Sequence, residues 1–156
     1  MGEKFGKGIG GHHRPYRGFT NEWETPPEIT QMFGPFDDDP CTPQEFNGLW
    51  RPWHGFVFIN PPYGPDVGKW LEKLCDHGNG IALTFARTET RWFKEQVWAR
   101  ANGILFLYGR LHFYRNGQRA DSNSGAPSVL IAYGSKALEQ LQASKLPGAL
   151  VTGWFP

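Results

Sequence analysis

The sequence predicts an α/β fold with a mostly parallel central sheet and flanking helices. Three observations predict it: short runs that are apolar on both faces, stretches with helical spacing between them, and strand and helix alternating in order. Phe56–Ile59 (Phe-Val-Phe-Ile) is the clearest buried strand, followed by 81–85, 104–108 and 128–132. Between the first three runs, Val67, Trp70, Leu71 and Leu74 fall at helical spacing, as do Phe93, Val97 and Trp98. Right-handed crossovers turn that order into parallel strands covered by helices. Residues 137–141 read as a further helix and 149–154 as an edge strand.

At 156 residues the chain has room for one core and one site. Residues 1–18 form a separate basic arm, with Lys4, Lys7, Arg14 and Arg17 against Glu3 and with six of the twenty glycines, and are expected to be mobile in isolation. The globular domain is expected over 19–156. Its first helix is expected to start at Thr25, a hydroxyl cap followed by Pro26 and Pro27 with Glu28 three residues on, and to stop before Gly34 and Pro35. Residues 115–127 are polar and read as a loop.

Composition removes several classes of function. No apolar run is long enough for a bilayer span, and the first residues lack the apolar core of a secretory signal, so a soluble, cytoplasmic protein is expected. His12 and His13 are adjacent, and Cys41 and Cys75 offer no close ligand pairing, so neither a metal site nor a disulfide is expected. Net charge is +1, which makes the whole-molecule field a weak guide to partners. Aromatic residues make up 15% of the chain, enough to furnish both a core and flat surfaces on which a base could stack.

The chemistry concentrates at Asn60, Pro61, Pro62 and Tyr63, directly after the Phe56–Ile59 run. Open α/β sheets bind ligands beyond the carboxyl ends of their strands. Two prolines fix φ twice and withdraw two backbone donors, leaving a stiff turn whose carbonyls are free to accept. The Asn60 amide oxygen is a further acceptor, and Tyr63 supplies a ring. Two convergent acceptors suit an exocyclic amine: by binding both N–H bonds they hold the nitrogen nearer tetrahedral geometry and restore a lone pair otherwise delocalised into the ring. Asn-Pro by itself is a common turn. The four residues at the end of a buried strand are more specific.

These residues resemble the [Asp/Asn/Ser]-Pro-Pro-Tyr signature of amino-group DNA methyltransferases, in particular the short, phage-encoded DNA N6-adenine methyltransferases called Dam-like. Three more segments resemble the family in the same chain order. Trp23, Glu24, Thr25, Pro26 and Pro27 are similar to the motif before the first strand that contacts the methionine end of the cofactor. Phe36–Cys41 is similar to the first-strand motif, with Asp39 in the place of the acid that holds the cofactor ammonium and Pro40 and Cys41 beside it. Ala86–Phe93 and Gly109–Phe113 are similar to segments near the target base. The resemblance implies a class I (Rossmann-like) methyltransferase fold, S-adenosyl-L-methionine as donor, and adenine flipped out of double-stranded DNA. Asn60 then touches both substrate and cofactor.

Arginines that could contact nucleic acid are Arg87, at a strand end and equally readable as an ion-pair partner, and Arg110, Arg115 and Arg119, on and after the transition from the third strand into the polar loop. Thr90 follows Arg87 as a contact or a helix cap, and Trp92 reads as core on the stripe of Val97 and Trp98. The basic arm could add salt-dependent phosphate affinity. Other readings stay open: methylation of another planar amino group, such as a protein glutamine or an RNA base, and a DNA-binding module without turnover.

Overall fold

The structure is a computed structural model and describes residues 23–42 and 47–156. The basic arm, the domain start near Phe19 and Pro43 lie outside the described residues. In chain order the elements are α1 (Pro27–Thr30), β1 (Val57–Ile59), α2 (Val67–His77), β2 (Gly80–Phe85), α3 (Arg91–Phe93), β3 (Gly103–Leu107), β4 (Tyr114–Arg115), β5 (Gln118–Arg119), β6 (Ser128–Tyr133), α4 (Ser135–Ala143) and β7 (Gly148–Val151). A π-helical turn, Lys94–Trp98, continues α3.

Five strands form one sheet in the order β1-β2-β6-β3-β7, and β4 pairs with β5 in a separate hairpin. Each strand alternates between two apolar layers. Phe58, Ile81, Leu83, Leu105 and Leu130 face one cluster with Ile29 of α1 and Ala137 and Leu141 of α4. Val57, Ile59, Ala82, Ile104, Val129 and Ile131 face the other, with Trp70, Leu71 and Leu74 of α2 and Phe93 and Val97. Helices therefore cover both faces, which is why β1, β2 and β6 are buried along their whole length and read as unbroken apolar runs.

The α/β class and every main element agree with the sequence reading, but the sheet is not mostly parallel. β1 and β2 are parallel, whereas β2 with β6, β6 with β3 and β3 with β7 are antiparallel. The reason is the connection between β3 and β6, which holds the β4–β5 hairpin and no helix, so β6 enters between β2 and β3 from the opposite direction. A strand buried on both faces looks the same in either direction, and periodicity carries no sign.

Two local expectations also change. The cap of α1 is Pro26, whose carbonyl accepts from the N–H groups of Ile29 and Thr30 at 2.9 and 3.3 Å, while the Thr25 hydroxyl caps nothing and α1 is a single turn. Within 115–127 the chain forms the hairpin, turned by Asn116 at φ 50° and Gly117 at φ 71°, the conformation that Asn-Gly favours between antiparallel strands. Both cysteines are free thiols, and among the described residues no helix is long and apolar enough to cross a membrane.

The approach of β1 to β2 is close. A Cβ at Gly80 would lie 2.3 Å from the Val57 carbonyl oxygen and 2.8 Å from Leu74 Cδ1. Gly80→Ala is therefore expected to lower unfolding free energy by about 1 to 3 kcal/mol, the range for overpacking a filled site. A denaturant midpoint equal to that of the unaltered chain would show that β1 does not pack this tightly.

Candidate functional site at the end of β1

The segment before β1 runs beside it. Asp38 bridges Val57 in parallel register, the Asp37 N–H donates to the Phe56 carbonyl at 2.8 Å, and the Phe58 N–H donates to the Asp38 carbonyl at 3.0 Å. Phe36 stacks on Phe56 with ring centroids 5.2 Å apart. Parallel pairing carries Asp39, Pro40 and Cys41 toward the same end of the sheet as Asn60, and the Cys41 sulfur is hydrogen-bonded by the Asn60 backbone. Burial pushes the Cys41 thiol well above its ordinary value, so it stays protonated and acts as packing.

The acidic triplet divides into three roles. Asp37 Oδ2 accepts from the Phe56 N–H at 2.6 Å. Asp38 takes the Arg51 guanidinium in a two-pronged pair at 2.7 and 2.8 Å, and that hydrogen bonding holds its carboxyl below the usual value. Asp39 has no cation among the described residues. It keeps solvent-exposed surface, yet surrounding protein desolvates its carboxyl enough to push the pKa up to about 6; Asp38 adds repulsion and the Cys41 N–H, at 3.3 Å, opposes the rise.

Beyond β1, Asn60 is half-buried and Pro61 buried. The Tyr63 ring lies flat on Phe85, centroids 4.3 Å apart and planes 7° from parallel, and meets Phe113 edge-on at 6.5 Å. Desolvation pushes the Tyr63 hydroxyl's pKa up, so the ring is a neutral plate. Gly64, at φ 138°, lets the chain turn away before α2 starts at Val67. A cleft of about 370 Å³ opens here, with Pro61 and Tyr63 on the β1 side, Thr84 and Phe85 at the end of β2, and Arg87, Glu89 and Trp92 beyond.

The sequence-derived residues thus fall in three groups. Asp39, Pro40, Cys41, Asn60, Pro61, Pro62 and Tyr63 gather at the ends of two neighbouring segments. Arg87 lines the cleft with its guanidinium carbon 5.9 Å from the Phe85 centroid. Thr90 also lines it, but its hydroxyl donates to the Arg87 carbonyl at 2.7 Å and accepts from the Phe93 N–H at 3.3 Å, which is the work of a helix cap. Trp92 is half-buried: it packs against the core cluster that holds Phe93 and Val97, as its spacing suggested, and also lines the cleft.

The remaining residues lie farther out along the chain. Trp23 packs against the apolar cluster that also receives Tyr63, and Glu24 bridges Tyr114, which fastens the Trp23–Pro26 segment to the hairpin. Arg110 donates to the Ser124 carbonyl at 3.3 Å, and Arg115 and Arg119 are exposed on β4 and β5. Sequence reasoning missed Arg51 and Phe85, and it placed Phe113 near the target base only through the Gly109–Phe113 segment. The apolar run ending at Phe85 was visible, but its stacking on Tyr63 is a tertiary fact with no local signal.

Among the described residues no group of three His, Cys, Asp or Glu is placed to hold a metal ion. No family model, no curated protein and no solved structure matches the chain.

Because Asp38 has a folded pKa below its ordinary 3.8, its pairing stabilises the fold above about pH 4 and is lost as pH falls through the folded value. The pair is partly buried, with side chains 25% and 9% exposed. Arg51→Ala is expected to cost about 1 to 2 kcal/mol near pH 7 and less near pH 2, read from melting temperatures at both. An equal loss at the two pH values would mean that Arg51 acts through packing alone.

Proposed function

We propose that the chain is a DNA methyltransferase that transfers a methyl group from S-adenosylmethionine to adenine N6. The observation that carries this reading is the convergence of the Asp39–Cys41 segment and the Asn60–Tyr63 turn at one sheet end, beside a cleft walled by Pro61 and Tyr63.

The residues present fit the donor. Asp39 is a carboxyl without a cationic neighbour among the described residues, as the ammonium of an amino-acid-like ligand requires, while Asp38 is already neutralised by Arg51. Pro40 and Cys41 carry the chain from that carboxyl to Asn60. S-adenosylmethionine supplies, when bound, a methyl group on a sulfonium centre.

The chain's own contribution is placement and preorganised polarity. The Asn60 side-chain oxygen and the Pro61 carbonyl accept the two N–H bonds of the adenine amino group and raise the lone pair toward the methyl. S-adenosylmethionine held at Asp39 would supply the methyl group to that nitrogen, whose proton would leave to water. Because Pro61 is buried and Phe85 fixes the plane of Tyr63, little reorganisation is needed when the base arrives. Arg87 at the rim and the arginines of the hairpin region supply cations for phosphates.

Incubation with labelled S-adenosylmethionine and duplex DNA, followed by nucleoside analysis, is expected to give N6-methyl-2′-deoxyadenosine. Asn60→Ala is expected to lower that turnover about 100- to 1000-fold, as for one lost preorganised transition-state contact, with the melting temperature retained. Turnover equal to that of the unaltered chain removes Asn60 from the mechanism.

Asp39 gives a pH signature. Its carboxyl, with a pKa of about 6, must ionise to hold an ammonium, so S-adenosylmethionine affinity is expected to be level above pH 7 and to fall below pH 6, approaching tenfold per unit. Asp39→Asn is expected to weaken binding and abolish that dependence, as measured by calorimetric titration. A pH-dependent fall that survives the substitution would assign it to another group.

A further inference from the structure

We propose that the outer edge of β7 pairs with β7 of a second copy of the chain, antiparallel and about a two-fold axis at Leu150, joining two five-stranded sheets into one. The proposal stands apart from the methyltransferase reading, because β7 lies at the far edge of the sheet from β1 and the Asn60–Tyr63 turn.

A sheet edge presents a row of backbone donors and acceptors. The β1 edge is closed, since the backbone of Asp37 and Asp38 bonds to Phe56 and Phe58. At β7 the register runs from Leu107 opposite Gly148 to Ile104 opposite Val151, and the Tyr108 N–H donates to the Pro147 carbonyl at 2.9 Å. Antiparallel alternation then turns the N–H and C=O groups of Ala149 and Val151 toward β3 and those of Gly148, Leu150 and Thr152 outward. The outward groups have no backbone partner among the described residues.

Soluble proteins blunt such edges with charge or with proline. Neither protects this one. Residues 146–156 carry no charged side chain, in a chain whose residues are 20% charged, and Pro147 spends its missing N–H on the β3 side. Exposed aromatic residues flank the edge: Tyr108, 67% exposed, beside Pro147 at one end, and Phe155, fully exposed, past the other.

The occupant follows from the charge pattern and the register. An uncharged edge fits a strand that is equally uncharged, and a second copy supplies one. Outward groups must meet outward groups, so Leu150 faces the partner's Leu150 and Gly148 faces the partner's Thr152. The two copies of Lys145, the nearest charge before β7, then lie at opposite ends of the pair, whereas parallel pairing would set them side by side. Antiparallel pairing also brings the Tyr108 end of each copy to the Phe155 end of the other and shields both from water.

Sedimentation equilibrium of the full chain from about 1 μM to about 1 mM is expected to show the mass rising from that of one chain toward that of two. Thr152→Pro, at an exposed position whose N–H faces outward, removes a donor from the pair and none from β3; it is expected to keep the chain monomeric with its melting temperature retained. Ala149→Lys, also exposed, sets like charges across the axis and is expected to weaken association about tenfold or more. Amide exchange read by 15N NMR identifies the face: Leu150 and Thr152 are expected to slow as concentration rises, while Ala149 and Val151, bonded to β3, are slow throughout. A chain that stays monomeric at about 1 mM, whatever foreign strand takes the edge, overturns the proposal. So does a dimer that survives both substitutions, or one whose Leu150 and Thr152 amides exchange as fast as in the monomer.

Discussion

Three residues of strand, Val57–Ile59, position the Asn60–Tyr63 turn, and they can do so because both of their edges are paired. On one side β2 supplies a parallel ladder whose close approach depends on Gly80. On the other, the backbone of Asp37 and Asp38 exchanges hydrogen bonds with Phe56 and Phe58. A strand this short has few bonds of its own. Its rigidity comes from burial on both faces and from neighbours on both edges, and the two prolines that follow pass that rigidity on to the turn.

The same pairing explains why three consecutive acids behave differently. Alternation along an extended segment points neighbours to opposite sides. Asp37 is used up by the backbone at Phe56, and Asp38 meets Arg51, which arrives from the loop before β1. Asp39 is left with a raised pKa because its surroundings remove water without supplying a cation. An acid kept in that condition costs stability when it ionises, and a cationic ligand offsets the cost. Functional groups are often found at such places.

Much of the architecture was legible in the sequence, because its signals are local. Apolar runs located β1, β2, β3 and β6 to within a residue, helical spacing located α2 and α4, and the Asn60–Tyr63 motif marked the sheet end where the cleft opens. What failed to show was of another kind. Strand direction leaves no trace in a run buried on both faces, the Asn116-Gly117 turn was present in the letters but read as loop, and Thr25 lost its capping role to Pro26. For Trp92, spacing reported the packing against the core but not that the same residue also lines the cleft.

The unexpected direction of β6 bears directly on the site. β1, β2 and β3 run the same way, so Ile59, Phe85 and Leu107 all end on one side of the sheet. Had β6 been parallel to them, the chain after Leu107 would have had to cross the sheet and begin the strand at the far side. Being antiparallel, β6 begins where β2 ends: Ser128 opposes Phe85, and the Ala86 N–H donates to the Pro127 carbonyl at 2.9 Å. The connection 108–127 therefore starts and finishes at the cleft's end. It is free to lay Phe113 against Tyr63 and to raise the β4–β5 hairpin, with Arg115 and Arg119, from that rim. The antiparallel strand keeps the arginine-bearing hairpin beside the Asn60–Tyr63 turn, where a crossover would have carried the chain away from it.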